Sequence, residues 1–74
     1  MRILVVEDDV AMASLLERAL AKQGHVVVTA TNGTDALWNV MEHDFAAIVL
    51  DAMIPAPDGF EVCRQMRAAG RWAP

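Results

Sequence analysis

Three carboxylates carry the clearest chemical promise in this 74-residue sequence. Glu7 and Asp8 stand directly after the apolar run Ile3-Leu4-Val5-Val6, and Asp51 stands directly after another, Ala46-Ala47-Ile48-Val49-Leu50. An acidic residue after a strand is commonly a turn former or a helix cap, and Asp9 and Asp58 are read that way. Glu7, Asp8 and Asp51 differ by their joint placement. If the two runs are neighbouring parallel strands, all three carboxylates meet outside the carboxyl ends of the sheet, where ligands of doubly wound folds bind. Crowded like charges hold on to a proton or attract a cation. A hard divalent ion taking a few oxygens and keeping several waters answers that need, which points to Mg2+.

The elements that would position this cluster are legible in the hydrophobic pattern. The run from Ile3 to Val6 is short, rich in β-branched residues and unbroken by polar ones, as expected of a strand buried on both faces of a parallel sheet. Met12, Leu15, Leu16, Ala19 and Leu20 then recur at helical spacing, with Asp9 to cap the start and Gly24 suited to the left-handed position past the end. Val26-Val27-Val28 gives a second strand, Asn32-Gly33 a turn, and Ala36, Leu37, Val40 and Met41 a second apolar stripe. After the third strand a loop with Pro55 and Pro57 leads to Asp58 and Glu61, spaced as a capping box, and to the stripe Val62, Cys63 and Met66, closed by Gly70. Three strand–helix units in succession imply an α/β fold with a parallel sheet and right-handed crossovers.

Composition narrows the function classes. Hydrophobic residues make up 55% of the chain and the net charge is -4, a balance that demands a core and excludes an acidic disordered tail. No cluster of Lys or Arg offers a nucleic-acid surface, so direct DNA contact by these residues is not expected. No apolar stretch is long enough to span a membrane, and one cysteine cannot form an internal disulfide. Cytoplasmic residence is the default expectation. His25 and His43 lack metal-ligand spacing and read as solvated surface residues, while Cys63 reads as an inert core thiol. Trp38 borders the second helix's stripe and Trp72 falls in the terminal tail.

The segments Ile3-Leu4-Val5-Val6-Glu7-Asp8-Asp9, Ile48-Val49-Leu50-Asp51-Ala52-Met53-Ile54-Pro55 and Asp58-Gly59-Phe60-Glu61 together resemble the motifs of bacterial two-component response-regulator receiver domains. The acidic pair, the strand-end Asp, the Pro four residues later and the Asp-Gly helix start occur in that family's order, and the resemblance covers residues 1–74. It implies a flavodoxin-like fold with strand order 2-1-3-4-5, and a signalling module, not an enzyme. By the resemblance, Asp51 accepts a phosphoryl group from a sensor histidine kinase. Glu7, Asp8 and Asp51 hold Mg2+, joined by the backbone carbonyl at Met53, and Pro55 and Gly59 shape the loop. The acidic pair resembles that of members with a DNA-binding transcriptional output, here expected outside this chain.

The family also carries a Ser or Thr after a fourth strand and a Lys after a fifth. The chain stops at Pro74, so the expectation is a receiver truncated to βαβαβα, with the third strand left as a sheet edge and self-association favoured through it. Two rival readings follow from the same residues. One is a non-phosphorylatable receiver serving only as an interaction or dimerisation module. The other is a Mg2+-dependent phosphohydrolase with an aspartyl nucleophile, which would want a second Asp where Met53 stands. A dinucleotide-binding unit lacks its glycine-rich loop after the first strand.

Overall fold

The computed structural model describes residues 1–71, so Trp72 and Pro74 lie outside the described residues. Three strands and three helices alternate: β1 (Arg2–Val6), α1 (Val10–Lys22), β2 (Val26–Ala30), α2 (Gly33–Glu42), β3 (Ala47–Leu50) and α3 (Gly59–Ala68). The strands form one parallel sheet in the order β2-β1-β3. The expected α/β class and the neighbourhood of the first and third strands are both observed. In register, Val6 stands beside Ala30 on one side and Leu50 on the other, so all three strands end at the same level.

The central strand has the burial expected of a strand covered on both faces. Ile3, Leu4, Val5 and Val6 are buried, whereas Val26 is 61% and Val49 41% exposed. The reason is positional: β1 has a strand on each side and helices over both faces, while β2 and β3 are edges among the described residues. Leu4 and Val6 share the main core with Ala36, Val40, Phe45, Ile54, Val62 and Met66, which places α2 and α3 over one face. Strand alternation turns Ile3 and Val5 to the other face, where α1 packs against β1 and β2.

The α1 stripe is less buried than its spacing suggests. Ala13 is the buried residue of that helix, Leu16 and Leu20 are half-buried, and Met12, Leu15 and Ala19 are exposed. With α1 alone on its face of the sheet among the described residues, only the flank touching the sheet is covered.

Capping follows the sequence closely. Oδ1 of Asp9 accepts from the Met12 amide at 3.1 Å, and Oδ1 of Asp58 accepts from the Glu61 amide at 2.9 Å. The full capping box does not form, because the Glu61 carboxylate pairs with Arg64 and accepts from Gln65 instead of returning to the Asp58 backbone. Gly24, at φ 88°, adopts the left-handed conformation expected past α1.

Asn32-Gly33 requires a correction: it is not a free-standing turn. Asn32 is the N-cap of α2, its Oδ1 accepting from the Asp35 amide at 2.8 Å, and Gly33 is the first helical residue. Phe45 and Ile54 are buried core residues that no apolar stripe or strand run marks, since neither lies in a strand or helix. They close the core at the two loops flanking β3, where periodicity gives no signal.

Candidate functional site: an acidic cluster at the strand ends

Backbone pairing continues past β1 and carries the acidic residues into place. The Glu7 amide donates to the Ala30 carbonyl at 3.0 Å, and the Asp51 amide donates to the Val6 carbonyl at 3.1 Å. These bonds fix the backbone of both strand ends at adjacent positions on the same edge of the sheet. One carboxylate oxygen from each of Glu7, Asp8 and Asp51 can be chosen so that all three lie within 4.8 Å of one another. Glu7 and Asp51 are half-buried and Asp8 is exposed, so the cluster opens to solvent on one side. The structure thus brings together the three carboxylates selected from the sequence.

The surrounding loops orient them. Asp9 turns away to cap α1, and its amide donates to Oε1 of Glu7 at 3.1 Å. The Met53 amide donates to Oδ1 of Asp51 at 2.9 Å. This ties one carboxylate oxygen down and leaves the other without that bond. The Met53 side chain is 85% exposed, and only its backbone addresses the site. Gly59, the first residue of α3, donates its amide to the Ala52 carbonyl at 3.3 Å, closing the loop that follows Asp51.

Charge crowding leaves its mark on Glu7. The hydrogen bond from the Asp9 amide pulls its carboxyl pKa down, but desolvation and the negative charges of Asp51 and Asp8 outweigh it, and the net shift is upward. A carboxyl that resists ionisation among other carboxylates is one whose charged form a nearby cation would favour. The donor set is all oxygen, hard and anionic, which suits Mg2+.

Other residues fall outside this cluster. His43 is exposed at the end of α2, its ring edge-on to Trp38 and Phe45 at centroid distances of 6.0 and 6.5 Å. His25 is not the solvated residue expected: it is half-buried, with Nδ1 buried and without a hydrogen-bond partner among the described residues. Cys63 is half-buried, not a core thiol, because Val62 and Met66 take the inward face of α3 and leave it at the flank beside Ile48 and Leu50. Trp38 is 60% exposed. No helix among the described residues is long and apolar enough to cross a membrane.

Comparison with known proteins identifies the fold and the family. Residues 3–74 match the response regulator receiver domain family. The transcriptional regulatory protein TcrA of Mycobacterium tuberculosis is 49% identical over 73 residues, 99% of this chain and 29% of TcrA. The response regulator TrrA of Thermotoga maritima, solved in complex with Mg2+-BeF, superposes with a TM-score of 0.87 at 34% identity, over 92% of this chain and 59% of that one. A complex of the histidine kinase ThkA with TrrA gives a TM-score of 0.84 at 34% identity, over 90% and 58%. The chain therefore spans less than a third of its curated relative, and matches solved receiver folds along most of its own length. It belongs to the response regulator receiver domain family.

Proposed function

We propose that the chain is the phosphoacceptor part of a two-component response regulator, with Asp51 receiving a phosphoryl group from a histidine kinase in the presence of Mg2+. The observation that carries this reading is the convergence of Glu7, Asp8 and Asp51 within 4.8 Å at the ends of two adjacent strands. Glu7, Asp8 and Asp51 would hold the ion, together with the backbone carbonyl of Met53. When bound, it supplies positive charge against the anionic oxygens of the phosphoryl group and of Asp51, the main obstacle to bringing them together.

The chain's own residues provide the rest. The Met53 amide fixes Oδ1 of Asp51, which orients the remaining oxygen as the nucleophile. That oxygen forms a bond to phosphorus as the bond from phosphorus to the kinase histidine nitrogen breaks, leaving an acyl phosphate and a neutral histidine after proton uptake. The chain serves as a signalling acceptor in this reading, not as a catalyst of repeated turnover. The ThkA complex with TrrA supports a kinase as the donor. TcrA, named as a transcriptional regulatory protein, supports a DNA-binding output in the part of such proteins that this chain does not cover. Residence in the cytoplasm, where kinase and DNA would both be accessible, goes with that reading.

The test is labelling of the full-length protein by a small phosphodonor with Mg2+, read by intact mass. One phosphoryl group on wild type and none on Asp51→Asn is expected. Equal labelling of the Asn variant would overturn the assignment.

A further inference from the structure

Two glycines hold the loop that leaves Asp51, one at each end. A Cβ on Gly59 would stand 2.6 Å from Cα of Ala52 and 2.9 Å from the Asp51 carbonyl oxygen. A Cβ on Gly33 would stand 2.0 Å from the Pro57 carbonyl oxygen and 2.8 Å from Cγ of Pro57. Real Cβ atoms essentially never come under 3.0 Å, and a backbone oxygen cannot rotate aside as a flexible side chain can. Gly59 belongs to the loop it closes. Gly33 does not: it opens α2, remote in sequence from every carboxylate of the site.

The need for glycine at position 33 is spatial. The glycines with positive φ are Gly24 and Gly70, whereas Gly33 has ordinary helical backbone. Its own position is firmly set by the Asn32 cap and by Ala36 and Val40, which bury the same helix in the core. Between a helix anchored in this way and an exposed loop, the loop is the softer partner. A side chain at position 33 would push Pro57 away, and the displacement would spread through a segment pinned at Asp51 by Val6 and at Gly59 by Ala52. Met53, whose amide orients the Asp51 carboxylate, lies within that segment.

We propose that Gly33 is a positioning residue for the acidic site: its missing side chain lets Pro57 seat on the first turn of α2, and this sets the loop carrying the Met53 backbone. The functional consequence rests on the reading of Asp51 as phosphoacceptor, but the positional one does not.

The experiment compares Gly33→Ala with Gly24→Ala in the full-length protein labelled with 15N-methionine. Gly24→Ala serves as the destabilised control, since its φ of 88° opposes a side chain while its Cβ would meet nothing within 4 Å. Gly33→Ala should move the Met53 amide resonance and weaken Mg2+ binding about tenfold, the usual effect of disturbing the support of a metal site. Gly24→Ala should lower thermal stability and leave both readouts at wild-type values. A folded Gly33→Ala with an unmoved Met53 amide overturns the proposal, as does equal loss of Mg2+ affinity in both variants. A moved amide in a protein whose wild type binds no Mg2+ would uphold the positioning and overturn the phosphoacceptor reading instead. If Gly33→Ala does not fold, Pro57→Ala removes the ring Cγ that seats on Gly33 while keeping the Pro57 carbonyl, and so perturbs the packing from the loop side. A shifted Met53 amide then supports the proposal, and an unshifted one overturns it.

Discussion

The Asp51 amide donates to the carbonyl of Val6 at 3.1 Å, and this backbone bond joins the end of β3 to the end of β1. It acts one residue before Glu7 and two before Asp8, so the strand pairing itself delivers the third carboxylate to the first two. The chemistry of the site is thereby coupled to the integrity of the sheet.

Metal binding should be visible as stabilisation. At Mg2+ a hundred times above its dissociation constant, ligand linkage contributes about 2.7 kcal/mol to wild type. Asp8→Asn should show less than half of the corresponding melting shift, and equal shifts would place the ion elsewhere. The pH dependence has a definite sign. Because the Glu7 pKa is raised above its ordinary 4.5, the metal-free protein keeps the Glu7 contribution to stability below 4.5 and loses it as pH rises through the folded-state value. Mg2+ affinity should run the opposite way, weakening as pH falls and protons compete for Glu7. Calorimetric titrations at several pH values read this directly.

Burial, not hydrophobicity, should rank the strand substitutions. Leu4 is 0% exposed on the central strand, and Leu4→Ala should cost about 2–5 kcal/mol in urea unfolding. Val26, 61% exposed on β2, should lose well under 1 kcal/mol as Ala. Similar losses at the two positions would contradict the core described above.

At the start of α3, Asp58→Ala removes the cap on the Glu61 amide and should cost about 1 kcal/mol. Glu61 has its pKa lowered to about 2, first by hydrogen bonding from Arg64 and then from Gln65. Its contribution is present above the ordinary 4.5 and is lost as pH falls from there towards 2. Glu61→Gln should therefore flatten the acid side of the stability profile, and only slightly, since the pair is solvent-exposed. An unchanged profile would show that the pair contributes nothing.

The 74-residue chain on its own should self-associate. Among the described residues β3 is a sheet edge, with Val49 41% exposed and neither Lys nor Pro in the strand to oppose pairing. Light scattering at tens of micromolar should report a dimer or larger species, and Val49→Lys should shift it towards monomer. A well-folded wild-type monomer at that concentration would refute the expectation.

The sequence by itself determined the order of elements, the parallel class of the sheet and the three carboxylates. Each depends on local properties: β-branched runs between helical stripes, caps such as Asp9 and Asp58, and acidic residues placed immediately after strands. The resemblance to receiver domains added the expectation that Met53 acts through its backbone carbonyl, which its side chain could not advertise. Tertiary structure alone decided which apolar residues are covered. Met12 and Leu15 have the spacing of core residues and lie exposed, while Phe45 and Ile54 sit in loops and are buried, because burial depends on which neighbours arrive from distant segments. The same holds for Gly33. Next to Asn32 it looks like turn chemistry, but its requirement is the approach of Pro57, twenty-four residues further along the chain. No local pattern encodes a distance between two segments, so that contact became visible only once the chain was folded.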